Sequence, residues 1–157
     1  MLRKALQRNL CAVSLALLTA APIAAQALEQ NARRPGLIGL AQRGDAIAQT
    51  RLGIMLRTGR GLPQNALEAA YWLQRAAEQG HPDAQYYLGL CYDAGQGVPM
   101  DWVLAYKWLN ISASQTPDLD EGSHRRRMRD AIASKLNQRE VARAQYLAIA
   151  WKPSPER

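Results

Sequence analysis

One turn is written twice in this chain, 36 residues apart. "LGIMLRTGRGLPQN" covers Leu52 to Asn65, and "LGLCYDAGQGVPMD" covers Leu88 to Asp101. Extended to Gly44–Gln79 against Gly80–Gln115, the copies agree at 13 positions without a gap. These include Gly44/Gly80, Ala48/Ala84, Gln49/Gln85, Leu52/Leu88, Gly53/Gly89, Gly59/Gly95, Gly61/Gly97, Pro63/Pro99, Ala69/Ala105, Trp72/Trp108 and Leu73/Leu109. Unrelated stretches of ordinary composition share about two or three. A fixed period of this length marks stacked units, none of which buries its apolar face alone.

Each unit reads as two helices. In the second copy Pro82 suits a first helical turn after Gly80-His81, and Ala84, Leu88, Cys91 and Tyr92 recur at helical spacing. Glycines at Gly95 and Gly97 end that helix, because glycine takes a positive φ at little cost. Asp101 is placed to cap the next helix, whose stripe is Leu104, Ala105, Trp108 and Leu109. In the first copy Asn65 and Glu68 form a capping-box pattern, followed by Leu67, Ala70 and Leu73 with Tyr71 and Trp72 beside them. No strand signal of comparable strength exists.

The expected architecture is all-α, a right-handed α/α solenoid of about three hairpins. "GLIGLAQRGD" matches the end of a second helix, so the array opens with a half unit near Gly36, preceded by an arm over 28–36. The repeat region is 37–115. Residues 116–152 read as a divergent capping hairpin: His124, Met128, Ile132 and Leu136 line one helix. Asn137 and Glu140 make a second capping box, and Val141, Ala144, Leu147, Ala148 and Trp151 line the last helix. Pro153 stops it, leaving 153–157 as a tail. Trp72 and Trp108 are the expected packing anchors.

The start of the chain is not fold material. Arg3, Lys4 and Arg8 precede an apolar run from Leu10 to Ala25, and Ala25-Gln26-Ala27 is a small-x-small triplet. That is the pattern of a signal peptide cleaved after Ala27, and the run is short of the ~20 residues that span a bilayer. An uncleaved anchor is the alternative. Residues 1–27 carry three of the 20 Lys and Arg and none of the 13 Asp and Glu, so the formal charge of +7 falls to +4. That is too weakly basic to point to nucleic acid. Only Cys91 survives cleavage, so an internal disulfide is excluded. In its apolar stripe Cys91 reads as a buried inert thiol, with a reactive or intermolecular thiol as the alternative.

The residues resemble the Sel1-like repeat, within the tetratricopeptide-like α/α solenoids. The pattern A-x-x-x-L-G-x-x-x-x-x-G-x-G-V/L-P, then A-x-x-W-L and A-A-x-x-G, stands here as Ala48, Leu52, Gly53, Gly59, Gly61, Pro63, Ala69, Trp72, Leu73, Ala76, Ala77 and Gly80. The second copy departs at its end, where Ser112-Ala113 replaces the alanine pair. The resemblance covers roughly Leu37 to Pro153 and implies a solenoid that binds other proteins. Cysteine-rich relatives linked to β-lactam hydrolysis carry a paired cysteine in every repeat, and this chain has none.

Catalytic signatures are absent. Gly59-Arg60-Gly61-Leu62-Pro63 has no Lys-Ser/Thr pair, and Pro63 has no N–H for a phosphate. His81, His124 and Cys91 make no short-spaced metal pair; a capping or turn role suits His81 and a partly buried structural role suits His124. Nothing marks Ser112, Ser114 or Ser123 as activated. No catalytic residue, cofactor or metal is expected.

Candidate contacts therefore fall where the copies disagree. Tyr86 and Tyr87 replace Thr50 and Arg51, and tyrosine and arginine are favoured contact residues. Arg51, Arg57, Tyr86, Tyr87 and Asp93 form the candidate protein-binding set, with packing between hairpins as the competing role for a tyrosine. The run "HRRRMR" offers a basic patch of Arg125, Arg126 and Arg129. A solvated face beside Glu121 and Asp130 is its plain reading, and an envelope polyanion its alternative ligand.

The sequence thus leads to an exported, non-enzymatic binding module in the bacterial periplasm, or secreted, serving as scaffold or adaptor for an envelope complex. The alternatives are an immunity or inhibitor protein that covers a toxic enzyme, and, less favoured, a weak hydrolase on cell-wall or β-lactam substrates.

Overall fold

The computed structural model describes residues 36–117 and 120–154. The chain divides into two compact units, Met1–Leu37 and Ile38–Arg157. Of the first, only residues 36 and 37 are described, as the opening of a short helix. The expected leader, its cleavage point after Ala27 and the arm up to Pro35 lie outside the described residues.

Among the described residues there are seven helices and no strand. They are α1 over 36–42, α2 (Ala46–Thr58), α3 (Ala66–Glu78), α4 (Pro82–Ala94), α5 (Trp102–Gln115), α6 (Asp120–Ala133) and α7 (Gln138–Ala150). This is an all-α solenoid.

Local chemistry sets the helix ends. The side chains of Asp45, Asn65 and Asp101 accept from the backbone N–H of Ala48, Glu68 and Leu104 at 2.7, 3.1 and 2.9 Å. Each satisfies a donor the helix start leaves unpaired. Asn137 and Glu140 form the full reciprocal box. Asn65 and Glu68 do not: Glu68 instead accepts from the Asn65 side-chain amide at 3.3 Å and faces the Trp72 indole N–H at 3.4 Å. Gly59 and Gly95 close α2 and α4 in the left-handed region, with φ of 72° and 65°. His81 stands at the N-cap of α4, but its side chain makes no capping bond.

The repeated glycine after leucine sets the spacing within a hairpin. A Cβ on Gly53 would stand 2.7 Å from Leu73 Cγ, and one on Gly89 would stand 2.8 Å from Leu109 Cγ. The first helix thus presses its backbone onto the second. Between hairpins the repeated glutamine is the tie. The buried Gln49 amide donates to the Ala41 carbonyl at 3.0 Å, and Gln85 donates to Ala77 at 3.3 Å. Ala41 and Ala77 are themselves 36 residues apart, so α1 takes the place of a preceding second helix. The turn glycine Gly97 lies on the start of α3, where a Cβ would fall 1.9 Å from the Ala66 carbonyl oxygen.

The core follows these contacts. Leu73, Leu88, Leu109 and Cys91 are fully buried, and Trp72 and Trp108 are buried. Leu67, expected on the α3 stripe, is 74% exposed. It lies about 120° round the helix from Leu73, outside the sector held between α2 and α4.

The C-terminal helices depart from the expected capping hairpin. Both α6 and α7 pack on α5, and α5 rather than α6 is the main partner of α7. Ala144 joins Ala105, Tyr106 and Leu109, while Trp151 meets Trp108 edge-on at 5.8 Å. The expected tail is held at its start: Ser154 N–H donates to the Glu78 carbonyl at 2.8 Å, and Pro153 lies against Gly80. Two apolar anchors, Ala148 and Trp151, draw the segment back over the junction of α3 and α4.

Candidate protein-binding groove

The first helices of successive units, α2, α4 and α6, share one face. A groove of about 300 Å³ opens there, lined by Ile54 of α2, Asp83, Tyr86 and Tyr87 of α4, and Glu121, His124 and Arg125 of α6. The two tyrosines are half-buried and meet edge to face, with centroids 5.3 Å apart.

The groove is braced from below. Arg125 is only 4% exposed. It donates to Ser112 Oγ at 2.7 Å, to Glu121 at 2.7 Å and, by a very short contact, to Asp83. Ser112 Oγ in turn donates to the Pro82 carbonyl at 2.7 Å. One guanidinium therefore joins α4, α5 and α6. Burial works against its charge, but the bonds and charges of Asp83 and Glu121 outweigh that and raise its pKa above the ordinary arginine value. The surface role expected for Arg125 is thus corrected: paired carboxylates and a serine take it out of solvent. Arg129 pairs with Asp130 at 2.7 Å, and Arg126 donates to Ser123 Oγ at 3.2 Å.

Above this brace sits an aromatic floor. The Arg125 guanidinium lies 5.5 Å from the Tyr86 ring centroid, and Tyr86 Oη meets His124 Nε2 at 2.9 Å. Burial, then the neighbouring Tyr87, pushes the Tyr86 phenol up, partly offset by Arg125 and Arg57. Arg57 reaches across from α2 to lie 5.0 Å from the Tyr87 centroid.

Three of the five candidate contact residues, Arg57, Tyr86 and Tyr87, come together here. Arg51 is exposed on α2, one turn before Ile54. Asp93 stands apart, bound to Lys135 in the turn after α6 at 2.5 Å. The copy comparison did not reveal Asp83, Glu121 or His124, whose place depends on how α6 docks. His124 is exposed rather than partly buried, and only its Nε2 engages the protein, at the Tyr86 hydroxyl. Cys91 is a buried free thiol, and burial raises its pKa.

A second hollow of about 390 Å³ lies between α1, α2 and α3, with Ile38, Leu52, Leu56, Pro63 and Trp72 in its wall. Its carboxylate, Glu68, is already bonded to Asn65 and Trp72. Among the described residues no three His, Cys, Asp or Glu side chains group as a metal site, and no helix is long and apolar enough to cross a membrane. The Ser112 hydroxyl is buried between Pro82 and Arg125, where it serves packing.

The Sel1 repeat model matches residues 46–81 and 82–117, the same period read two residues later. The chain carries two Sel1 repeats. A protective antigen present in uropathogenic Escherichia coli strains, displaying an SLR fold, is similar at 30% identity and a TM-score of 0.67, over 73% of this chain and 24% of its own. A Sel1 repeat protein from Oxalobacter formigenes is similar at 36% identity and a TM-score of 0.51, over 56% of this chain and 25% of its own. The chain thus spans about a quarter of the length of these solved relatives. Among curated proteins none matches it. Sel1 repeats form protein–protein interaction modules and are generally non-catalytic scaffolds.

Proposed function

We propose that this Sel1-repeat chain is an exported, non-enzymatic binding module that holds a partner protein in the groove between α2, α4 and α6, as a scaffold or adaptor in the bacterial envelope. The observation that carries the reading is the groove itself. Where the repeats differ, α4 presents Tyr86 and Tyr87 on a face that Arg125 holds rigid. Packed tyrosines bring large contact area at little further ordering cost, which is what an interface anchor needs. Export rests on the basic, apolar and small-residue pattern of residues 1–27.

Capture from envelope extract tests the site. Tyr87→Ala, and separately Tyr86→Ala, should lose the captured partner while the circular dichroism spectrum stays unchanged. Full capture by both variants would place the interface elsewhere. Mass spectrometry of the exported protein should find a chain that begins at Leu28.

A further inference from the structure

We infer that the outer face of α7 rests on an anionic phospholipid surface. Ile149 and Tyr146 would enter the headgroup layer, and Arg139 and Arg143 would lie on its phosphates. This face is separate from the groove, so the inference stands or falls apart from that reading.

Helix α7 has one buried side, marked by Ala144, which packs with Ala105, Tyr106 and Leu109 of α5. At 100° per residue, Ile149, Ala142, Tyr146, Arg139, Ala150 and Arg143 fall between about 140° and 260° from Ala144. All six are exposed, Tyr146 at 70% and Ile149 at 84%. Ile149 is the most exposed large apolar side chain among the described residues. No carboxylate stands in this sector. Glu140, the one acidic residue of α7, falls near about 320° and serves the cap at Asn137. Arg125, Arg129 and Lys135 each have a carboxylate partner elsewhere in the fold. Among the described residues neither Arg139 nor Arg143 forms an ion pair. Lys152, just past the helix, is exposed and adds a third cation.

Bare apolar side chains beside unmatched arginines are what a helix lying in a membrane interface presents. A tyrosine ring with its polar tip suits the headgroup level, and each arginine gains attraction from an anionic leaflet. A second copy docked through this face would bring four arginines together with no carboxylate between them, which like charge disfavours. A protein partner would need an acidic surface with hollows matched to both apolar side chains, whereas a headgroup layer yields around them.

A dye that brightens in apolar surroundings tests this. It is carried on Ile149→Cys in a chain with Cys11→Ser, the remaining thiol, Cys91, being buried. The probes are vesicles of phosphatidylglycerol and vesicles of phosphatidylcholine. Phosphatidylglycerol should brighten the dye, less so as salt rises, and phosphatidylcholine should leave it dim. Arg139→Glu with Arg143→Glu, both at exposed positions, should weaken the response about twentyfold. The same dye on Arg51→Cys of α2 should stay dim. Equal brightening by phosphatidylcholine, a full response from the double glutamate variant, or no response at millimolar lipid would each overturn the assignment. So would brightening at Arg51→Cys, or brightening with protein concentration in the absence of lipid, which is the mark of a second copy. Tyr87→Ala, which tests the groove, should leave every one of these readings unchanged.

Discussion

Gly89 lies so close to Leu109 that a Cβ would stand 2.8 Å from the leucine Cγ and 3.2 Å from the Ala105 carbonyl oxygen. Leu109 is fully buried, so it has no room to swing aside. Alanine is the better helix former by about 1 kcal/mol, but overpacking a dense core costs about 1–3 kcal/mol. Gly89→Ala should therefore lower stability by about 1 kcal/mol. Gly39→Ala, which would meet only the tip of Arg43 at 3.9 Å, should be neutral or slightly stabilising. Urea midpoints at constant slope decide between clash and propensity.

Arg125 makes a second prediction. Arg125→Met keeps the stem and loses three bonded partners, Asp83, Ser112 and Glu121. The two carboxylates are 49% and 70% exposed, so water takes them over once released. The cost should be about 2 kcal/mol, below that of breaking a fully buried pair. Arg125→Lys keeps charge without the fork and should recover only part of it. A thermal melt in which Arg125→Lys equals the native chain would contradict this.

The tryptophan pair at the back of the solenoid has unequal members. Trp108 is 5% exposed, and its truncation to Ala should cost roughly 3–5 kcal/mol. Trp151 is half-buried and holds the returning chain end. Trp151→Ala should cost less and act locally, speeding amide exchange at Ser154. Equal global loss from both changes would show that the chain end belongs to the core.

Cys91 predicts a pH dependence. Burial raises the thiol pKa in the folded state, partly opposed by Arg57. Above the ordinary thiol range the unfolded chain releases a proton that the folded chain still holds, so stability falls as pH rises from about 8.5. Tyr86 and Tyr92, also raised by burial, add to the fall at higher pH. Cys91→Ala should flatten the first part of that decline. Denaturation midpoints from pH 7 to 10 read it, and a thiol reagent should label the folded chain only slowly at pH 8.

The period, the helix pairs and most helix ends were legible in the amino-acid order. They depend on interactions a few residues apart: Asp101 with Leu104 N–H, Asn137 with Glu140, and glycine with its own φ. The glutamine tie was written twice as well, since Ala41 and Gln49 repeat as Ala77 and Gln85. So was the pairing of Trp72 with Trp108 as buried residues, since both copies had to supply the same contact.

What only the tertiary structure decided lies past the second repeat and between helices. Arg125 reads as one more arginine in a basic run, yet it is buried, because Asp83 and Ser112 from other helices converge on it. Asp93 reads as a contact residue and is bound to Lys135, 42 residues on. Helix α7 reads as half of a hairpin and lies on α5, where Ala144 packs with Ala105, Tyr106 and Leu109. A short-range pattern encodes its own geometry, whereas an ion pair or a docked helix depends on residues that only folding brings within reach. The sequence by itself determined a repeated helical hairpin; the stacking of those hairpins decided which side chains face a partner.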